Sequence, residues 1–487
     1  MKKNHINPFT KLDIFIVSTI LIVAFIFRLY KINTPLADFH SWRQVDTAAV
    51  ARNYTRTGID LFHPRYDDLS SIETGKENPN GYRFVEFPLY NAIIALFNKA
   101  VPVLPIEVEG RLVSIFFTLF TIFSLYYLSL KESDRITAIV SSLVFAIFPF
   151  FVFFTRVVLP EPTAISLVMI SIMFLYISAH VKKSLESFLL IIISSILISL
   201  AILIKPTVIF YGFTILVLFI YRYKLSIIKK FSIYIYGLIA IVPFILWRSY
   251  IQKFPEGIPA SDWLITSVNT YEGVKNIFFK PAFFRWIFFE RLNNYILGGY
   301  LTFFFVLGII RKQSSFILHS ILISALAYLL VFQGGNVQHE YYQTLILPAV
   351  ALSIGMGVSF IIVQIKSFWH PIFTYSLIVA IFLFSFFISF YKVRDYYNYS
   401  SDLTQIANII NTLTSPTDKI VTDQTGDTTL LYLMDRKGAP AIYKDPAELS
   451  KLGYNYLVTL NDGEIRTMKE QKFKVVFENN KFTLFQL

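Results

Sequence analysis

The sequence contains no cysteine, and only 16% of its 487 residues are Asp, Glu, Lys or Arg. The first absence excludes disulfides, thiolate metal sites and a cysteine nucleophile. The second excludes an ordinary soluble globular chain, in which about a quarter of the residues are charged. Internal repeats, low-complexity tracts and any dense cluster of acids and histidines are also lacking. What fills the space is 55% hydrophobic residues, with 50 Phe, arranged in long apolar runs between short charged clusters. Lipid is therefore the solvent for most of this chain. A transmembrane β-barrel would alternate with period two, and stretches such as residues 189–204 do not. The pattern is that of a polytopic α-helical membrane protein.

Eleven membrane spans are expected, at about residues 12–30, 109–130, 136–154, 162–180, 187–204, 207–223, 231–247, 294–310, 315–333, 343–363 and 371–391. Residues 87–104 are also apolar, but Pro88, Pro102 and Lys99 interrupt them, so they read as an interfacial or re-entrant helix. With the amino terminus inside, the inner segments collect fourteen cations, among them Lys2, Lys3, Lys131, Arg135 and Lys366, against four acids. This bias fixes the orientation by the positive-inside rule. It also accounts for most of the net charge of +12, so the basicity marks topology and attraction to anionic lipid rather than nucleic-acid binding. No small-residue cleavage site follows Tyr30, so the first span is not read as a signal peptide.

In that orientation the functionally suggestive polar segments fall on the non-cytoplasmic side: residues 31–108, the turn from Arg156 to Pro162, Lys205 with Pro206, residues 248–293, the loop from Gly334 to Tyr342, and the tail after 391. A transporter would instead set ionisable groups near the midplane in broken helices with internal symmetry. The tail changes composition, with twelve basic and twelve acidic residues over 392–487. Strand-like runs (KIVTD, NYLVTL, FKVVFE, KFTLFQ) and a helical stretch over 400–413 predict a small extracytoplasmic α/β domain that covers or recognises an acceptor. The division expected is therefore 1–391, membrane domain with its exported loop 31–108, and 392–487, soluble domain.

The first exported loop packs Asp38, His40, Trp42, Arg43, Gln44 and Asp46 into nine residues. A carboxylate held there can take a proton from a hydroxyl, and guanidinium or imidazole can bind phosphate. Alternatively this is an interfacial amphipathic helix, with Asp46 as its N-cap and Trp42 as an aromatic anchor. Glu86, in RFVEFPLY, is a candidate for binding a metal or an acceptor hydroxyl, or else a helix-start acid favoured by the macrodipole. Glu161 follows Arg156 in the turn RVVLPEP; Lys205 closes an apolar span, where it either snorkels or meets an anion. The segment GGNVQHEYYQ brings His339 and Tyr342 together in a plausible phosphate site, with Tyr also a common interfacial anchor. Asn53 and Asn398 begin glycosylation sequons.

The joint order of these elements resembles the C-type superfamily of membrane glycosyltransferases, which take sugars from polyprenyl phosphates. Within it the chain is similar to the branch of the bacterial aminoarabinose transferases and the protein O-mannosyltransferases, in the acid-bearing first loop, the PLY element at Pro88 to Tyr90, Arg111, the Arg156 and Glu161 turn, and Lys205. The resemblance covers roughly residues 10–360. It implies a glycosyltransferase C-type fold in a bacterial plasma membrane, a polyprenyl-phosphate-sugar donor, and inverting transfer to an acceptor glycan, lipid or protein. It further implies Asp38 as general base with Asp46 as substitute, and Arg43, Arg156, Lys205, His339 and Tyr342 around the donor phosphate. Glu86, Glu161 and His40 are left for acceptor or metal. Relatives divide between metal-dependent and metal-independent, so a divalent metal stays open. Two departures stand out: the family shows adjacent acids where this loop separates them by eight residues, and Glu86 stands where aminoarabinose transferases carry a basic residue. Two other readings are a polysaccharide polymerase or ligase using a diphosphate-linked glycan, and a transporter. The first should show a late exported loop rich in Arg, whereas residues 248–293 hold only Arg248, Lys253, Lys275, Lys280, Arg285 and Arg291.

Overall fold

The computed structural model describes residues 8–261, 281–313, 315–364 and 370–487. Lys2, Lys3 and Lys366, assigned above to the inner side, and Lys275 and Lys280 lie outside these residues. The chain divides into two compact units: residues 1–32, 111–247 and 261–396 form the first, and residues 33–110, 248–260 and 397–487 the second.

The first unit is helical. Its helices include α1 (Lys11–Arg28), most of α4 (Ile106–Glu132), α5 (Arg135–Ile147), α6 (Pro149–Phe154), α7 (Glu161–His180) and α8 (Ser184–Ile204). Among the described residues of the whole chain, seven helical segments are long and apolar enough to cross a membrane, or eight if Pro281–Ile296 and Leu301–Ile310 make one bent span. That pair turns through 117° where an uninterrupted span was expected over 294–310. The break falls at Gly298 and Gly299, both in the left-handed region with φ of 55° and 79°. Three other expected spans fall on elements that miss the test: α1 carries Lys11, Asp13 and Arg28, α5 and α6 are split at Pro149, and Ile317–Val331 has 15 residues.

Buried polar groups in this unit are matched to backbone that the helices leave unpaired. Pro149 has no N–H to offer the carbonyl of Phe145, four residues earlier. Arg28, fully buried, donates to that carbonyl and to Ala146 O, each at 2.9 Å, and its Nε donates to Thr155 Oγ1. Its guanidinium thus sits at the negative end of α5. Asp13 caps α1 with Thr10 and accepts from Tyr126 Oη and Arg135 Nε at 2.9 and 2.8 Å; Asp134 pairs with Arg311 at 2.9 Å. Leu301–Ile310 and Leu347–Gln364 touch backbone to backbone: Gly308 faces Ser353 and Gly357 faces Phe304, where no Cβ fits.

The second unit contains α2 (Ser41–Thr57), α3 (Leu89–Ala100) and a five-stranded sheet: β1 (Ile420–Thr422), β2 (Gly438–Ala439), β3 (Tyr456–Thr459), β4 (Lys474–Glu478) and β5 (Thr483–Gln486). The order is β2-β1-β3-β5-β4, with β1 parallel to β2 and β3, and β5 antiparallel to β3 and β4. The four strand-like runs in the tail become β1, β3, β4 and β5, and the helical stretch becomes Ser401–Leu413. Ile406 and Ile410 of that helix pack on one sheet face with Ile420 and Leu484; Leu449 and Met468 cover the other with Leu457 and Phe485. Alternation along short strands thus builds a two-sided core. Beside β2, Gly438 N donates to Asp67 O and Gly438 O accepts from Leu69 N, at 2.9 and 2.7 Å. Residues 33–110 and the tail are therefore parts of one unit.

Candidate active site

In the second unit α2 begins directly after His40, whose φ of 56° is unusual for a residue with a side chain, and ends at Gly58. Residues 43–51 are buried on every side, so α2 is not the interfacial amphipathic helix considered above. Nor does Asp46 cap it: that carboxylate lies inside the helix and finds protein partners. Asp46 Oδ2 pairs with Arg83 Nη2 at 2.6 Å, and Oδ1 accepts from Thr428 Oγ1 at 2.6 Å. Arg83 also pairs with Glu73 and lies 4.7 Å over the Tyr66 ring. Burial pushes the Asp46 carboxyl up, against the pull of Arg83.

Asp38, 3% exposed, is held differently: its Oδ1 accepts from the neutral amide of Gln44 at 2.7 Å, and the same amide donates to Phe39 O at 3.0 Å. One glutamine on α2 thereby fixes the turn and the acid before it. Arg43 Nη2 meets Glu86 Oε1 at 2.5 Å. Asn53 is 9% exposed and its amide donates to Arg65 O at 2.8 Å, so this sequon asparagine is committed to the fold.

Nearby, Asp68 is 1% exposed and accepts from Ser70 N at 2.8 Å; burial, reinforced by Glu73 and Asp46, pushes its carboxyl up to about 7. Between its ordinary 3.8 and that value the folded protein holds a proton that the unfolded chain has lost. Its stabilising contribution is full below about pH 4 and declines towards pH 7. The unfolding temperature in detergent should fall by about 5 °C between pH 5 and pH 8, and Asp68→Asn should remove much of that fall. An unchanged slope in the variant would show that Asp68 does not titrate there.

In the first unit, Arg156 is fully buried at the turn between α6 and α7 and donates to Tyr30 O. Glu161 opens α7 and Lys205 closes α8; they pair at 2.6 Å, and Lys205 Nζ lies 5.0 Å over the Tyr342 ring. His339 stacks on Tyr341 at 5.4 Å and tilts against Tyr342 at 6.3 Å. Four residues chosen from sequence, Glu161, Lys205, His339 and Tyr342, thus form one cluster, and Asp38, Asp46, Arg43, Glu86 and His40 belong to the other unit. Sequence reading missed the partners: Arg83 and Thr428 for Asp46, Gln44 for Asp38, and the buried ion pair of Arg291 with Glu340. An unpaired acid in an apolar chain signals only that a partner exists.

Two of the three residues offered for a metal, Glu86 and Glu161, do not fit one. Glu86 and Glu161 already face a guanidinium and an ammonium, and the described residues hold no group of three or more acids or histidines that could ligate an ion.

Comparison with known structures places this architecture. The chain is similar to ArnT of Cupriavidus metallidurans bound to undecaprenyl phosphate, at 12% identity and a TM-score of 0.67 over 97% of both chains. It is also similar to the archaeal oligosaccharyltransferase AglB of Archaeoglobus fulgidus in complex with an inhibitory peptide and a dolichol-phosphate, at 11% identity and 0.58 over 92% of this chain and 70% of that one. The arabinofuranosyltransferase AftD from Mycobacteria matches at 12% and 0.56, over 92% of this chain and 36% of the other. The protein therefore has the C-type glycosyltransferase fold and is a multi-pass membrane protein. Residues 86–248 match the family model described as dolichyl-phosphate-mannose-protein mannosyltransferase, which bears out the resemblance to that branch. No curated protein matches the sequence significantly.

Proposed function

We propose that the protein transfers a glycosyl group from a polyprenyl-phosphate-linked sugar to an acceptor hydroxyl at the outer face of a bacterial plasma membrane, with inversion. The observation that carries this reading is the fold agreement, over 97% of both chains, with ArnT bound to undecaprenyl phosphate. In this proposal the chain spans the membrane eleven times with its amino terminus in the cytoplasm. The polar segments then face outward, with residues 392–487 as a soluble portion outside the membrane.

The chemistry is one displacement. The acceptor hydroxyl loses its proton to the base, its oxygen forms a bond to the anomeric carbon from the face opposite the leaving group, and the bond from that carbon to the phosphate oxygen breaks. Polyprenyl phosphate departs with the electron pair. We assign the base to Asp38, whose Oδ1 the Gln44 amide orients, with Asp46, engaged by Arg83 and Thr428, as the substitute. Arg43, Arg156, Lys205 and His339 stabilise the charge that grows on the leaving phosphate, and Tyr342 adds a hydrogen bond. Glu161 positions the Lys205 ammonium, and His40 and Glu86 serve the acceptor. No step is routed through a metal.

The test is release of free polyprenyl phosphate or diphosphate from a panel of synthetic polyprenyl-phosphate sugars and diphosphate-linked glycans by the purified protein, with a membrane extract known to contain a usable acceptor. Turnover of one donor is the expected result, and it names the sugar. Turnover only of diphosphate-linked glycans would replace this reading with a polymerase or ligase.

A further inference from the structure

The far end of α2 carries a second polar feature that the transfer chemistry does not use. Asn53 lies two turns beyond Asp46 and takes part in two pockets at once, both within the second unit. One, of about 200 Å³, is lined by Asn53, Thr57, Asp60, His63 and Arg65. The other, of about 230 Å³, is walled by Arg56, Lys419, Arg436 and Lys437 together with Asp67, Asp418 and Asp435.

The signs look balanced until the pairing is followed. Asp67 is bound by Arg52 at 2.6 Å, and Asp435 by Arg56 at 2.7 Å and by Arg52 at 3.1 Å. Asp418 accepts from the backbone N–H of Ser415 at 2.7 Å, and Asp60 is taken by His63 at 2.8 Å. Among the described residues no carboxylate lies within ion-pair distance of Arg65, Lys419, Arg436 or Lys437. Arg436, 5% exposed, is held instead by neutral oxygens, Met434 O and Thr414 O, each at 3.0 Å. Such oxygens fix the guanidinium without pairing its charge, which Asp435 and Asp418 offset only from beyond ion-pair distance. Lys437 is exposed at the surface; partial burial, and the neighbouring Arg65, Arg52 and Arg56 against the opposing pull of Asp67, hold its ammonium below the usual lysine range. A cation set among cations is relieved by binding an anion.

We propose that these two pockets, which share Asn53 in their walls, form a binding site for a soluble anionic polymer, its phosphate or carboxylate groups meeting Arg65, Arg436, Lys437 and Lys419. Taken as an acceptor subsite, the proposal rests on the glycosyl-transfer reading above; as a binding site it does not. One helix links the two features, since α2 starts three residues after Asp38 and reaches Arg56 about 22 Å further on. A chain-like acceptor held at that end is engaged well away from the hydroxyl that reacts.

The test uses the full chain in nanodiscs of neutral lipid. Calorimetry would compare a glycerol-phosphate hexamer and hexagalacturonate with neutral maltohexaose, and nanodiscs containing phosphatidylglycerol would be run in parallel. Wild type should bind at least one anionic hexamer and not maltohexaose, with affinity falling as salt rises. Lys437→Gln combined with Lys419→Gln should weaken that binding about tenfold or more, while Lys437→Arg retains it. Equal affinity for charged and neutral hexamers, or an undiminished affinity in the double variant, would overturn the proposal. Binding that is lost only when phosphatidylglycerol is present would also overturn it, in favour of a lipid headgroup. Because the readout is binding, an inactive donor panel with intact, mutation-sensitive hexamer binding would remove the transferase reading and leave this site standing.

Discussion

Asp38→Asn should lower kcat for release of polyprenyl phosphate by about 10³-fold, within the range that a positioned general base contributes, while leaving donor affinity within about twofold of wild type. The substitution is conservative in the sense that matters: an asparagine oxygen can still accept from the Gln44 amide, which now reaches Asp38 Oδ1 at 2.7 Å, so the turn and the start of α2 persist. What disappears is the ability to take the acceptor proton. Loss of kcat with KM unchanged is the mark of an interaction used in the transition state rather than in binding. Gln44→Ala should act in the same direction but more weakly, because the acid remains and only its orientation is lost. If Asp38→Asn turns over normally, and Asp46→Asn is folded but inactive, the base lies on α2 at Asp46.

That this choice could be left open from sequence, and narrowed from structure, reflects what each contains. Apolar runs report burial directly, which is why the membrane-spanning character, a helix at α3 and four of the five strands were legible. The 117° turn was not, because Gly298 and Gly299 interrupt the apolar run without adding any charge. The two-residue strand β2 falls below the length at which alternation can be seen. At the site, residue type was readable and commitment was not. Asp38 and Asp46 are both acids in one polar loop, and nothing in either residue's type announces that Arg83 from 37 residues away, and Thr428 from the tail, come to hold Asp46. Lys205 read equally as a snorkelling lysine until Glu161 came to face it.

Arg83→Gln should be the most destabilising single change in the second unit, at about 3–5 kcal/mol, the cost of stranding one partner of a buried ion pair. Asp46 is 2% exposed and would lose the guanidinium 2.6 Å from it; Thr428 supplies one hydrogen bond but no charge. The stacking of Arg83 on Tyr66 would go as well. Two further measurements separate this cause from a general packing defect. Adding Asp46→Asn to Arg83→Gln removes the stranded charge, so the double variant should recover a large part of the loss, and the coupling between the two sites should exceed about 1 kcal/mol. Acid should help the single variant: Asp46, already pushed up by burial in the wild type, rises further without Arg83, so the folded state keeps its proton over a wider range. Its stability relative to wild type should therefore be better at pH 5 than at pH 8, by the linkage sign that applies to a raised carboxylate. Equal deficits at the two pH values, or no rescue by Asp46→Asn, would mean that Arg83 supports this unit through Glu73 and Tyr66 alone. Asp46 would then return as a candidate base.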